Sequence, residues 1–276
     1  MKLKSLIWTL GIKPKAKRYG TRALRFTLPG EGEIQFEKWQ HPKDYFRPFN
    51  QEQIDALKRY IRTGDTVIDV GAHGGDFSIQ LALACGAEGC VLAVEPNPFV
   101  FDTLVKNAAL NRSKTNIVPL QAAAANFSGQ LTFHYSDPGF CNGGELGGVS
   151  RWRHGHAFPL EVPTVQLVQW MKENMPEKIS KVSFIKIDTE GFDLTVLQSL
   201  EEIIDQNRPT IHVEMYRHLT LERRQQLWRF LNEKGYKTFL NDDSYGCNES
   251  NPLIEENLMA VPHYDVLAVH TSHSLA

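Results

Sequence analysis

Around the turn Pro29-Gly30-Glu31-Gly32, apolar and polar side chains alternate, as Leu24-Arg25-Phe26-Thr27-Leu28 before it and Glu33-Ile34-Gln35-Phe36-Glu37 after it. A period of two on both sides of a Gly/Pro turn predicts a β-hairpin. The period then lengthens. Asn50 opens a helix with Gln53 as a loose capping box, Ile54, Leu57 and Ile61 form its apolar stripe, and Gly64 ends it. From Asp65 the pattern becomes strand, helix, strand, helix. Residues 67–70 predict a short buried strand, 77–85 a helix and 91–94 the next strand. Asn97 caps the following helix, and Pro98 takes its first position, where a missing N–H costs nothing. Residues 117–124 and 131–135 predict further strands. A second run has a strand at 184–188, a helix from Phe192 to about Asp205 and a strand at 210–214. Thr220 opens a late helix, and 236–240 and 264–270 read as closing strands. Alternation of this kind predicts a doubly wound α/β fold, with a mostly parallel sheet and helices on both faces.

The organisation expected is a basic flexible arm over residues 1–20, a hairpin and helix over 21–62, and one α/β domain over 63–276. No internal repeat is visible. In such sheets ligands bind at the carboxyl ends of the strands, near the point where strand order reverses. Chemistry is therefore expected just after Val70, Val94, Gln121, Asp188 and Glu214.

Composition narrows the function classes. Of 276 residues 42% are hydrophobic and 22% charged, which suits a folded domain and excludes wholesale disorder. No stretch approaches the roughly 20 apolar residues of a membrane-spanning helix, and residues 6–12 lack the features of a signal peptide. Cys85, Cys90, Cys141 and Cys247 form no C-x-x-C pair and read as free thiols, so the expected location is cytoplasmic. The net charge of -2 hides an asymmetry: residues 1–25 carry eight Lys/Arg and no acid, leaving 22 basic against 32 acidic residues elsewhere. So acidic a body is a poor partner for nucleic acid. The arm, with Leu6, Ile7, Trp8 and Leu10 among its lysines, suits either peripheral contact with an anionic membrane or plain solvation.

The first candidate chemistry is the segment Asp69-Val70-Gly71-Ala72-His73-Gly74-Gly75-Asp76, which leaves a strand and opens a helix. Glycines allow a tight turn and close approach to a ligand, although such a turn can also be merely structural. Glu95 ends the next strand, where an acid can accept hydrogen bonds from ribose hydroxyls. The dinucleotide fingerprint G-x-G-x-x-G is missing, because position 73 is His, and Asp76 would repel a pyrophosphate at the helix start. A ribose-bearing cofactor without phosphate fits better, and S-adenosylmethionine is one.

These segments resemble a known family. Residues 67–75 look like the first motif of the FkbM-type methyltransferases, and Val94-Glu95-Pro96-Asn97-Pro98 looks like their second. Phe184-Ile185-Lys186-Ile187-Asp188-Thr189-Glu190-Gly191 resembles their K-I-D-x-E-G element, and residues 209–214 resemble the strand that follows it. His73 stands where the family usually has Asn, and Asp193 where it usually has Glu. The resemblance spans about residues 50–240. It implies a seven-stranded Rossmann-like methyltransferase sheet and transfer of methyl groups to oxygen, often on sugars or polyketides. It also implies that Asp69, Gly71, Ala72, His73 and Gly75 shape the turn under the methionine part of S-adenosylmethionine. Glu95 would hold the ribose and Asn97 flank the adenine. Ala123 and Ala124 would face the adenine ring, or would simply be core.

Asp188 and Glu190 leave one strand and Glu214 ends its neighbour, so three carboxylates can converge while Lys186 points to the same side as Asp188. Either one acid acts as general base, or the three hold Mg²⁺ that lowers the acceptor's pKa. The metal-free base is favoured, because crowded acids raise one another's pKa. An ordinary alternative pairs Asp188 with Lys186 and lets Glu190 cap the next helix. By strand alternation His212 faces the same side as Glu214, as a hydrogen-bonded wall. Residues 136–162 hold six of the 20 glycines and read as a lid presenting Arg151, Trp152, Arg153, His154 and His156 to a small-molecule or glycan acceptor, or as a solvated basic loop. Two other classes stay open: a nicotinamide-dependent oxidoreductase, and a catalytically silent cofactor- or partner-binding domain.

Overall fold

Two strands, β1 (Thr21–Leu28) and β2 (Gly32–Trp39), form the expected hairpin, in a register that sets Phe26 opposite Ile34 and Leu28 opposite Gly32. Helix α1 (Gln51–Leu57) follows, with the Asn50 side chain accepting from the N–H of Glu52 at 2.9 Å. The helix stops at Leu57 rather than running to Gly64. The computed structural model describes residues 16–135, 158–241 and 252–273.

The core is built from β3 (Thr66–Val70), α2 (Asp76–Cys85), β4 (Cys90–Val94), α3 (Pro98–Ala109) and β5 (Ile117–Leu120). It continues through β6 (Ala123–Ala124), β7 (Gly129–Tyr135), β8 (Phe158–Val165), α4 (Leu167–Asn174), α5 (Pro176–Ile179) and β9 (Val182–Ile187). Helices α6 (Asp193–Ser199) and α7 (Glu201–Asn207), β10 (Thr210–Met215), α8 (Leu221–Glu233), β11 (Tyr236–Asn241) and β12 (Tyr264–His270) complete it. Seven strands form one sheet in the order β11-β12-β10-β9-β3-β4-β5. All neighbours are parallel except that β12 runs antiparallel to β10 and β11. The fold is thus a Rossmann-like α/β sheet. Strand order reverses between β3 and β9, which places the switch point beside the turn after Val70.

Every residue of β3, β4 and β10 is buried, as expected for parallel strands covered on both faces. Alternation then sorts the side chains. Ile68, Val70, Leu92 and Val94 enter one apolar core with α4, α6, α7 and α8, while Val67, Val91 and Ala93 enter another with α1, α2 and the hairpin. The hairpin is tied to α3 by Asn107, whose amide donates to Glu37 O (3.0 Å) and Gly74 O (2.7 Å) and accepts from Glu37 N (2.7 Å).

Several expectations are corrected. Residues 117–124 are not one strand: the chain turns after Leu120, and Ala123–Ala124 pairs with β8 in a separate three-stranded sheet ordered β6-β8-β7. Residues 158–162, assigned to the lid, belong to β8, which pairs antiparallel with β7. The helix expected over 192–205 breaks at Leu200 into α6 and α7. The last residues of the arm are docked rather than free. Arg18 hydrogen-bonds Pro98 O and Asp102, and the Tyr19 ring packs edge-on to Trp39 and His41. Among the described residues no helix is long and apolar enough to cross a membrane.

Candidate active site

The turn after β3 is held by backbone bonds. Gly71 N and Ala72 N both donate to Val94 O, at 2.9 and 3.1 Å, so these two N–H groups already serve the sheet. Gly71 has φ +81°, and a Cβ there would lie 1.9 Å from the carbonyl oxygen of Asp188. The glycine is demanded by the close approach of the two loops, and not by a ligand alone. Gly75 has φ +86° and a Cβ there would meet Leu104 of α3 at 2.8 Å, so its smallness serves helix packing. Ala72 is buried in the core beneath the turn. His73 takes φ +49° and Glu190 φ +52°, two non-glycine residues in the left-handed region, and both are at the site.

Glu95 sits at the end of β4 with both carboxylate oxygens engaged. Oε2 accepts from His73 N at 2.9 Å and Oε1 from Asn97 N at 2.8 Å. Burial raises its pKa, against which His73 and the two N–H groups pull it down. Asn97 caps α3 by accepting from Phe99 N at 2.9 Å, and its buried Nδ2 has no partner among the described residues. A seat with a fixed carboxylate and an unused amide donor fits an adenosine, whose ribose hydroxyls donate and whose ring nitrogens accept. Ala123 is core, packed with Phe133 and Val162, whereas Ala124 is half-buried.

Across the switch point Asp188 N donates to Val70 O at 3.0 Å, which locks the end of β9 to β3. Lys186 lies between two acids: Nζ is 3.1 Å from Asp188 Oδ2 and 3.8 Å from Asp69 Oδ1. Burial alone would lower the Lys186 pKa, but Asp188 and Asp69 overcome it and hold the ammonium charged. Buried Asp69 also accepts from the Ser78 hydroxyl, and burial raises its pKa against the pull of Lys186. The expected Asp188–Lys186 pairing is present. The N-cap position of α6 falls on Phe192, and Asp193 accepts from Gly191 N at 2.9 Å and Thr189 N at 3.3 Å. An acid one methylene shorter than Glu still reaches this loop. Burial, with Asp188 nearby, pushes Asp193 up to about 7.

Glu214 is the penultimate residue of β10, one short of the strand end expected for it, and is 7% exposed. Burial, then the charges of Asp188, Asp193, Glu190 and Asp265, push its carboxyl up to about 9. His212 lies within 3.3 Å of Asp265, a wall residue as alternation predicted. His263, which no sequence signal pointed to, stands 3.3 Å from Glu214. Among the described residues no three His, Cys, Asp or Glu side chains are grouped as metal ligands would be. Arg151, Trp152, Arg153, His154 and His156 lie outside the described residues.

Several known proteins are similar to this chain. A relative, "Methyltransferase sdnD" of Sordaria araneosa, is 24% identical over 198 residues, covering 62% of this chain and 73% of its own. A solved methyltransferase FkbM from Methylobacillus flagellatus is 14% identical, with a TM-score of 0.46 over 77% of this chain; the match spans 44% of that longer protein. An O-methyltransferase dependent on S-adenosylmethionine, from Thermotoga maritima, is 12% identical with a TM-score of 0.42, over 92% of this chain and 79% of that one. Residues 69–238 match the methyltransferase FkbM domain, more than half of the chain, so the protein belongs to the FkbM methyltransferase family.

Proposed function

We propose that the protein is an S-adenosylmethionine-dependent O-methyltransferase that acts on a hydroxyl of a sugar, glycan or secondary metabolite. The observation that carries the reading is the division of the carboxyl edge at Gly71. A buried, doubly anchored Glu95 lies on one side, and a cluster of Asp188, Glu190 and Glu214 lies on the other.

S-adenosylmethionine supplies, when bound, a methyl group on a cationic sulfur that an oxygen can displace. The chain's residues then have three tasks. Glu95 and Asn97 orient the adenosine through fixed acceptor and donor atoms. The Asp188–Lys186–Asp69 triad keeps the end of β9 rigid, so that the acceptor oxygen can be held in line with the methyl and sulfur. A carboxylate of the acid cluster takes the hydroxyl proton, a role typically supplying about 10²–10⁴-fold.

The test is a screen of the purified full chain against glycan, nucleotide-sugar and polyketide panels, with S-adenosylhomocysteine release as readout. The expected result is release with hydroxyl acceptors, insensitive to EDTA and cut by two or more orders of magnitude in Asp188→Asn. Binding of S-adenosylmethionine without conversion by any panel member would instead favour a silent binding domain.

A further inference from the structure

His263 precedes β12 and lies beyond residues 69–238 that match the family. Its Nε2 is 3.3 Å from Glu214 Oε1, and its side chain is 43% exposed where that of Glu214 is 8%. The other Glu214 oxygen, Oε2, is buried and has no hydrogen-bond partner among the described residues. A carboxyl with one oxygen on a solvent-facing imidazole and the other bare is placed to move a proton between the site and water.

Its neighbours decide when it is ionised. Asp188 and Glu190 face it from the loop after β9, Asp193 from the start of α6 and Asp265 from β12. Tyr216 lies just past the end of β10, and its hydroxyl feels the charges of Glu190 and Glu214. Lys186 is paired with Asp188 and Asp69, and His212 lies 3.3 Å from Asp265. Held at about 9, Glu214 rests protonated at neutral pH. A positive charge brought among these acids favours the carboxylate form and drives the proton off.

Resting on the methyltransferase reading above, we propose that Glu214 takes the acceptor's proton and that His263 is its path to solvent. Glu214 is cleared of its own proton beforehand by the positive charge of the bound methyl donor. The balance closes. The acceptor's O–H proton passes to Glu214 Oε2, the oxygen's electron pair forms the bond to the methyl carbon, and the C–S pair stays on sulfur, which becomes an uncharged thioether. With that charge gone Glu214 keeps the proton, as it did at rest, until the next donor binds.

Calorimetry of S-adenosylmethionine binding near neutral pH, in two buffers of different ionisation enthalpy, counts the protons released. The wild-type chain is expected to release close to one proton per bound molecule, and S-adenosylhomocysteine, which lacks the sulfonium, far fewer. Glu214→Gln is expected to bind without release. His263→Gln is expected to release the same proton more slowly in a stopped-flow indicator trace. Equal heats in both buffers for the wild type, or undiminished release by Glu214→Gln, would overturn the proposal while leaving the cofactor reading intact. Failure of S-adenosylmethionine to bind at all would defeat that reading, and this proposal with it.

Discussion

On the β4 side of Gly71, Glu95 is a buried acid with each oxygen held by a backbone N–H; on the β10 side, Glu214 is a buried acid with one oxygen near an imidazole and the other bare. Burial raises the pKa of both. The difference lies in what opposes it. Around Glu95 the opposition comes from His73 and fixed main-chain donors, which make the carboxylate a rigid acceptor. Around Glu214 four further carboxylates add to the burial. The same side-chain chemistry thus yields a seat on one side and a proton-responsive group on the other, because backbone dipoles do not titrate and carboxylates do.

The comparison breaks most violently at the joint between the two sides. Gly71→Ala puts a methyl 1.9 Å from the Asp188 carbonyl at φ +81°, so the loops after β3 and β9 must separate. The loss of stability should exceed the roughly 0.5–3 kcal/mol of ordinary substitutions and prevent recovery of folded protein, which circular dichroism and thermal melting would detect. Next in size, Lys186→Met leaves fully buried Asp69 facing no cation. Breaking a buried pair costs about 3–5 kcal/mol, and the low end applies because Asp188 is half-exposed. Adding Asp69→Asn should recover part of that loss in chemical denaturation.

A third experiment sharpens the contrast through pH. The folded-state pKa of Glu214, about 9, lies above its ordinary value of 4.5, so the native state holds a proton that the unfolded chain gives up. That contribution to stability is full below pH 4.5 and is lost as pH rises towards 9. Asp193, pushed up to about 7 from 3.8, acts in the same direction over a lower window. The wild type should therefore melt progressively lower between these limits, and Glu214→Gln should flatten the decline; parallel melting curves would refute the assignment. The smallest effect is expected outside both regions. Arg18→Ala removes an ion pair whose partners are 61% and 69% exposed, and should change stability by less than about 1 kcal/mol.

Much of this was legible in the sequence wherever local patterns decide structure. The apolar runs of β3 and β4, the Asn97–Pro98 helix start and the Thr220 cap all follow from a few neighbouring residues, and the structure has each of them. The family motifs brought Glu95, Asp188 and Glu214 to the same edge. Features that depend on remote partners were missed. Strand β8 contains Pro159, Glu161 and Pro163, so its pattern is poor, and it forms because β7 pairs with it across a long excursion. Ala123 and Ala124 look like a continuation of β5, but they pair with β8 instead. The sequence marks Gly71 and Gly75 as shaping the turn but does not show that a Cβ at either would meet Asp188 O or Leu104, contacts made by remote segments. His263 carries no local signal at all, and it matters only because β12 is inserted antiparallel beside β10.

The account turns on Glu95 as the seat of the cofactor, and calorimetry of S-adenosylmethionine with Glu95→Gln tests it most directly. Glu95 holds two backbone N–H groups, so the variant's fold must be checked by circular dichroism in the same preparation. A hydrogen bond to a charged acceptor contributes about 1.5–3 kcal/mol, which predicts an affinity lower by about one to two orders of magnitude in a folded protein. Unchanged affinity in a folded variant would contradict the account.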